Sequence, residues 1–436
     1  MSEPRACKAV MIAAPSSGHG KTTVTAALAR HAKNAGRRVR CFKVGPDFLD
    51  PMILERASGA PVYQLDLWMV GEAGCRALLY DAAGEADLII VEGVMGLFDG
   101  KPSSADLAAT FGLPVVAVID ATAMAQTFGA IAHGLATYRD AVKVVGVIGN
   151  RSGGERHTAT LVEGCGAVPF LGALPREKEQ AIPSRHLGLL QADEIADLDA
   201  RLDRAAASLD EAGIALPETT VIFTPCEVPP APTALMGRAI AVAKDAAFSF
   251  VYRANLDLLQ SMGATLTSFS PLTDPLPDAD GYYLPGGYPE LHLDALAHAP
   301  WRDGIRAAVE RGTPVVAECG GMLSLLDSLT DADGARASMA GVVPGHGVMQ
   351  KRLVNLGLHA VDLPGGAMRG HTFHHSTLET PLAPVAASTS VRPGGKGEGV
   401  YRVNRLTATY LHFYFPSNPE ATAQLFAPNI ERNHHA

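Results

Sequence analysis

The segment APSSGHGKTTVT (Ala14–Thr25) follows the apolar run AVMIA and leads into TTVTAALARHAKNAG, which reads as a helix ending near Gly36. This strand, loop and helix unit constrains the fold more than any other feature of the chain. A helix that starts on GKTT turns its unsatisfied N–H groups toward the loop, where they can hold a phosphate. The strand before it then belongs to a sheet whose strand ends share one ligand crevice. The motif GxxxxGK[ST] appears as PSSGHGKT, with Pro15 in place of the first glycine. Pro15 lies outside the tight part of the cradle, so the loop is expected to work. Its binding set is Ser17, Gly18, His19, Gly20, Lys21, Thr22 and Thr23, with Lys21 bridging the outer phosphates and the Thr22 hydroxyl on Mg²⁺.

The apolar runs KAVMIAA, RVRCFKV, DLIIVEG, PVVAVID, VKVVGVIGN and PFLGALP alternate with Ala-rich helical stretches. Near-continuous Val, Ile and Leu runs are typical of strands buried on both faces, which predicts a parallel sheet with helices on each side. The alternation ends in an amphipathic helical stretch over residues 193–212. The proline-rich PETTVIFTPCEVPPAPTALMG that follows reads as a linker. A second series runs through RAIAVAKD, GATLTSFSPL, DGYYLPGG, TPVVAEC and TATYLHFYF. A chain of 436 residues exceeds the ~100–200 of one ordinary domain, and the expected division is an α/β domain over 1–230 and a second over 237–436. GGKGEG near residue 397 reads as a mobile hairpin tip.

A net charge of −9, with 19% charged residues spread along the chain, argues against a nucleic-acid groove or a polybasic membrane patch. Small-molecule partners are expected instead. No apolar run approaches the ~18 residues that cross a bilayer, and Lys8 with the loop at Ala14 leaves no room for a secretory signal. Six cysteines without a CxxC pair suit a reducing cytoplasm.

Carboxylates gather where strands should end. KVGPDFLDP carries Lys43, Asp47 and Asp50, and VEGVMGLFDG carries Glu92 and Asp99. Past the C-terminal ends of parallel strands they face the crevice of the phosphate loop, and Glu92 is placed to hold magnesium or its water shell. Asn150, ending VKVVGVIGN, is either an adenine reader or a turn former. A second site lies in TPVVAECGGMLSLL, where Cys319 sits between a strand and a helix as in a nucleophile elbow. There the helix end is expected to lower the thiol pKa. Gly286 and Gly287 of YYLPGGYPE could join the Gly320 N–H in holding an oxyanion, and His412 in TATYLHFYF is the candidate base. His371, His374 and His375 in GHTFHHS lack partners at metal-ligand spacing and read as a structural or substrate-facing loop.

Together GHGKTT, KVGPDFLDP, EGVMGLFDG, PSRHLGL, LPGGYPE, AECGGM, GHTFHHS and HFYFPSNPE resemble the cobyrinic and hydrogenobyrinic acid a,c-diamide synthases of vitamin B12 biosynthesis, over nearly the whole chain. The resemblance implies a P-loop synthetase domain similar to dethiobiotin synthetase, followed by a class I glutaminase domain. It implies that Lys21 and Thr22 bind ATP with Mg²⁺, that Asp47 and Glu92 are the metal carboxylates, and that Lys43, Asp50 and Asp99 lie nearer the acceptor. It also makes Cys319 the nucleophile and His412 its base. Two residues past that histidine, where such enzymes commonly carry a glutamate, stands Tyr414; Glu420 is too far along to replace it, and Thr372 stands where the family pattern has an acid.

The implied reaction is amidation of two acetate carboxylates of a tetrapyrrole acid. ATP makes an acyl phosphate, glutamine supplies ammonia, and a shielded path carries the ammonia between domains. Other tetrapyrrole acids, such as nickel sirohydrochlorin or the cobyric acid precursor, remain open as acceptors. So do a switch-type ATPase and a glutaminase domain without activity. The oligomeric state is also open, a homodimer included.

Overall fold

The computed structural model describes residues 3–176, 184–185 and 188–427. Pro183, His186 and Leu187 of the PSRHLGL motif fall outside them. The chain separates into two compact units, Met1–Val228 and Pro229–Ala436. No helix among the described residues is long and apolar enough to cross a membrane.

The first unit is built on strands β1 (Arg5–Ala13), β2 (Val39–Val44), β3 (Tyr63–Leu65), β4 (Leu88–Glu92), β5 (Val115–Asp120), β6 (Val144–Ser152) and β7 (Phe170–Pro175). They pair in the order β3-β2-β4-β1-β5-β6-β7, all parallel. Alternation along β1 shows why the run is apolar throughout. Cys7, Ala9, Met11 and Ala13 join the core on one face, Val10 and Ile12 the core on the other. Helices α1 (Lys21–Asn34) and α2 (Leu49–Ser58) start directly after the ends of β1 and β2, which puts their first turns at the carboxyl edge of the sheet.

The segment read as a linker is not one throughout. Thr220–Phe223 is a strand that pairs antiparallel with the first half of β1, Arg5 opposite Phe223. Only Val221 and Phe223 of this edge strand are buried, so its alternating pattern is short and lies hidden among prolines. β3, three residues long, gave no periodic signal either.

The second unit has a seven-stranded sheet in the order 265–269, 239–243, 281–284, 315–318, 406–409, 399–403, 386–387. Its first five strands are parallel and the last two antiparallel. Two smaller four-stranded sheets complete the unit. TATYLHFYF, read as one run, breaks into Leu406–Thr409 in the large sheet and His412–Phe413 in a smaller one, where His412 lies opposite His371. GHTFHHS is not a loop: most of it belongs to the strand Gly366–His374, paired over its length with Asn355–Leu363. The expected mobile tip is also corrected in part, because Glu398 is 6% exposed and bound from three sides.

Candidate active sites

In the first unit, the phosphate loop takes the shape its glycines permit. Gly18 and Gly20 both adopt φ +87°, a conformation costly for any residue with a Cβ. A Cβ on Gly20 would also stand 2.2 Å from the Asn150 amide nitrogen. The loop is laced from behind by the ends of β5 and β6. Asn150 donates to the His19 carbonyl at 2.9 Å, Arg151 donates to the Gly18 carbonyl at 3.0 Å, and the Asp120 N–H donates to His19 Nδ1 at 2.7 Å. With its carboxamide oxygen accepting from the Arg151 N–H, Asn150 is engaged at both ends with protein. Arg151 and Asp120 form an ion pair. Neither was singled out in the sequence; the signal available was their position at the ends of β5, next to β1, and β6, next to β5.

Inside the loop, Lys21 donates to the carbonyls of Ser16 at 3.0 Å and Met95 at 2.6 Å. Burial lowers its pKa to about 8, helped by the Lys43 charge and opposed by Glu92, Asp50 and Asp99. Thr22 Oγ1 donates to Glu92 Oε1 at 2.8 Å. Lys43, read as an acceptor-side residue, is only 2% exposed. Its ammonium sits 2.9 Å from Glu92, 2.6 Å from Asp50 and 3.8 Å from Asp47, and so organises the carboxylates. Burial opposes charge on Lys43, but the three carboxylates outweigh it and raise its pKa. Burial also pushes Glu92 up to about 7 and Asp47 up to about 6. For Asp50 the Lys43 charge overcomes burial and lowers the pKa.

Asp47 caps the start of α2 through Oδ1, which accepts from the Leu49 and Asp50 N–H groups. Asp99 accepts from the Gly96 N–H at 3.0 Å and pins its own loop. Ser17 is exposed and Thr23 half-buried on α1. The set fits magnesium: Glu92 Oε2 is buried with no hydrogen-bond partner, and two carboxylates with one hydroxyl are hard oxygen donors that leave positions for phosphates and water.

In the second unit, Cys319 follows the strand Val315–Glu318 with φ 46° and ψ −108° and caps the four-residue helix Gly320–Leu323. This is the strained turn that presents a nucleophile. The PGG turn lies against His412 and against Gly320, the residue after Cys319. A Cβ on Gly286 would lie 2.3 Å from His412 Cε1, and one on Gly320 would lie 2.9 Å from the Gly287 nitrogen. Backbone, imidazole and elbow thus meet at contacts only glycine allows. His412 is 1% exposed and stacks on His371 at 4.9 Å and 21°; His371 Nδ1 is 2.7 Å from the Tyr252 hydroxyl.

The expected lowering of the Cys319 pKa is overturned. Burial raises it, Glu290 adds to the rise, and the Gly320 N–H only partly opposes them; a helix of one turn is too short to compensate. Burial, with the His374 charge, lowers His412 to about 3. Burial thus favours the neutral thiol of Cys319 and the neutral imidazole of His412.

The remaining histidine of the strand, His374, sets its Nδ1 at 2.8 Å from the Ser376 carbonyl and its Nε2 at 2.9 Å from Glu398. Thr372 contributes a hydroxyl to the same carboxylate at 3.4 Å.

Residues 10–189 match the CobQ/CobB/MinD/ParA nucleotide binding domain, and residues 239–420 the CobB/CobQ-like glutamine amidotransferase domain. The chain is 58% identical to a hydrogenobyrinate a,c-diamide synthase of Stutzerimonas stutzeri, over 97% of this chain and 99% of that protein. It is 57% identical to one of Pseudomonas aeruginosa, over 97% and 98%. Identity to a cobyrinate a,c-diamide synthase of Herminiimonas arsenicoxydans is 50%, over 99% of each. With a parallel-sheet unit carrying a phosphate loop, a second unit carrying a cysteine elbow, and relatives matched from end to end, the chain belongs to the hydrogenobyrinate and cobyrinate a,c-diamide synthase family.

Proposed function

We propose that the protein amidates the a- and c-acetate carboxylates of hydrogenobyrinic acid, with ATP as activator and glutamine as nitrogen donor. The observation that carries this reading is the presence in one chain of two constellations: a phosphate loop facing a Lys43-centred carboxylate cluster, and a cysteine elbow next to a PGG turn whose Gly286 lies against His412. The metal-free acceptor is favoured because the relatives at 57–58% identity are named for it, and the one at 50% for the cobalt form.

A carboxylate oxygen is a poor leaving group toward ammonia. Transfer of the γ-phosphoryl group makes it a good one, leaving ADP and an acyl phosphate. Lys21 swings from its two carbonyls onto the outer phosphates and neutralises charge as it spreads over the transferred group. Thr22, Asp47 and Glu92 would hold magnesium, which would supply further positive charge there. Lys43 keeps those carboxylates in place, and Asp50 and Asp99 border the acceptor side.

In the glutaminase unit Cys319 attacks the side-chain amide of glutamine as its proton passes to His412. The N–H groups of Gly287 and Gly320 hold the resulting oxyanion, and His412 returns the proton to the departing ammonia. Water then clears the thioester.

The test is amidation of hydrogenobyrinic and cobyrinic acids followed by mass spectrometry, with glutamine or ammonium as donor. Cys319→Ser should abolish the glutamine-driven product and leave the ammonium-driven one; Lys21→Ala should abolish both. Glutamine-driven product from Cys319→Ser, or preference for the cobalt acceptor, contradicts the assignment.

A further inference from the structure

Tyr414 stands where the orienting glutamate of a class I glutaminase is commonly found, and its ring packs edge-on against Tyr252 at 5.6 Å. A different carboxylate lies next to the nucleophile. Glu318, one residue before Cys319, is 1% exposed at the end of an otherwise apolar strand. Its Oε1 accepts the Phe413 N–H at 3.1 Å, the peptide N–H directly after His412. Its Oε2 accepts the Tyr283 hydroxyl at 2.9 Å. Asn255, fully buried, completes the knot: its amide donates to the Phe413 carbonyl at 2.8 Å and to the Tyr283 hydroxyl at 3.4 Å, and its oxygen accepts the Phe415 N–H at 2.8 Å.

We propose that Glu318 is the positioning residue of the glutaminase site, tying the segment that bears His412 to the elbow that bears Cys319. This rests on the roles given above to Cys319 and His412. The need for such a tie follows from the fold. The chain leaves the large sheet at Thr409 and enters the smaller one at His412, where it makes only a two-residue strand. Pairing that short cannot by itself hold an imidazole to the few tenths of an ångström that proton transfer requires. Glu318 orients the ring through the backbone, where a triad glutamate acts on the imidazole directly. Burying a carboxyl group costs free energy that an apolar residue in the same strand would not. The arrangement gives that cost a purpose, since one side chain spans nucleophile and base.

The test uses the full-length enzyme with Glu318→Leu, Glu318→Asp and Glu318→Gln. Gln keeps an acceptor for the Phe413 N–H at nearly the same volume, whereas Leu removes it and Asp draws it back by one methylene. Leu and Asp should lower glutaminase kcat by about 100-fold with little change in KM for glutamine, and should shift the acid limb of the kcat–pH profile. Gln should restore both, and ammonium-driven amidation should be unaffected in all three. If Leu does not fold, judged by Trp301 fluorescence, the comparison of Asp with Gln decides. Unchanged kcat and pH profile in Leu or Asp overturns the proposal, and so does a Gln variant as impaired as they are. A wild-type enzyme with no glutaminase activity would instead refute the functional reading on which the proposal rests.

Discussion

Replacing His374 by leucine tests how the second unit tolerates buried charge. Both ring nitrogens of His374 face accepting atoms, the Ser376 carbonyl and the Glu398 carboxylate, so losing the ring removes the donor paired with a buried carboxylate. Each residue is 6% exposed. Leucine leaves Glu398 buried with Asn355 and Thr372 as remaining side-chain donors. Breaking such a pair costs about 3–5 kcal/mol. The variant can escape by protonating Glu398, which from an unfolded value near 4.3 costs about 5 kcal/mol at pH 8 but only about 1 kcal/mol at pH 5. The sign agrees. Wild-type Glu398 has a depressed pKa: burial raises it, but His374 and the Asn355 hydrogen bond outweigh burial. Its stabilisation is therefore present above the unfolded glutamate value and is lost as pH falls through the folded one. At pH 8 the deficit should be about 3–5 kcal/mol, or roughly 6–20 °C in Tm for a unit of this size. By pH 5 it should shrink to about 1 kcal/mol, plus about 1 kcal/mol for the lost stack on Tyr410, whose ring lies 3.7 Å away. In a Trp68→Phe background, Trp301 is the only tryptophan and reports the second unit. A deficit of equal size at pH 5 and pH 8 would refute the argument, because the loss would then be packing alone.

Three further outcomes are expected. Gly286→Ala drives a methyl group into the His412 ring, and glutaminase turnover should fall at least about 100-fold while ammonium-driven amidation persists. Asn150→Ala removes a bond to the loop carbonyl of His19; KM for ATP should rise by about 5–10-fold, the equivalent of one net hydrogen bond, with glutaminase turnover unchanged. Finally, the raised pKa of Cys319 and its burial predict slow alkylation without substrate. Iodoacetamide mapped by peptide mass spectrometry at pH 7 should mark the partly exposed Cys226 well before Cys319, and the Cys319 rate should rise with pH; prior labelling of Cys319 would contradict the neutral thiol.

The buried strands, the loop after β1 and the turn at Cys319 were legible because they rest on local rules. A strand buried on both faces reads as an apolar run, as β1 and β4 do. The loop after β1 needs small residues with freedom of φ, as Gly18 and Gly20 have. The elbow at Cys319 needs glycine on its far side because other backbone comes within contact of Gly320. Such requirements act on neighbours in the chain, so spacing records them.

What tertiary structure alone decided involves residues far apart in sequence. The strand Thr220–Phe223 is defined by its partner β1, more than 200 residues away, and its own short alternation could not announce it. Lys43 reads in sequence as an acceptor-side residue beside two aspartates; only the fold surrounds it with Asp50 and Glu92 and buries it. His374 finds Glu398 across a turn that composition marks as mobile. The thiol shift shows the same limit. A helix start predicts a lowered pKa from local dipoles, but desolvation depends on everything packed around Cys319, and it prevails. Sequence thus determined which groups the chain offers and where the backbone must turn. The electrostatic state of those groups was decided by burial and by distant partners, because both depend on three-dimensional distance and leave no fixed spacing along the chain.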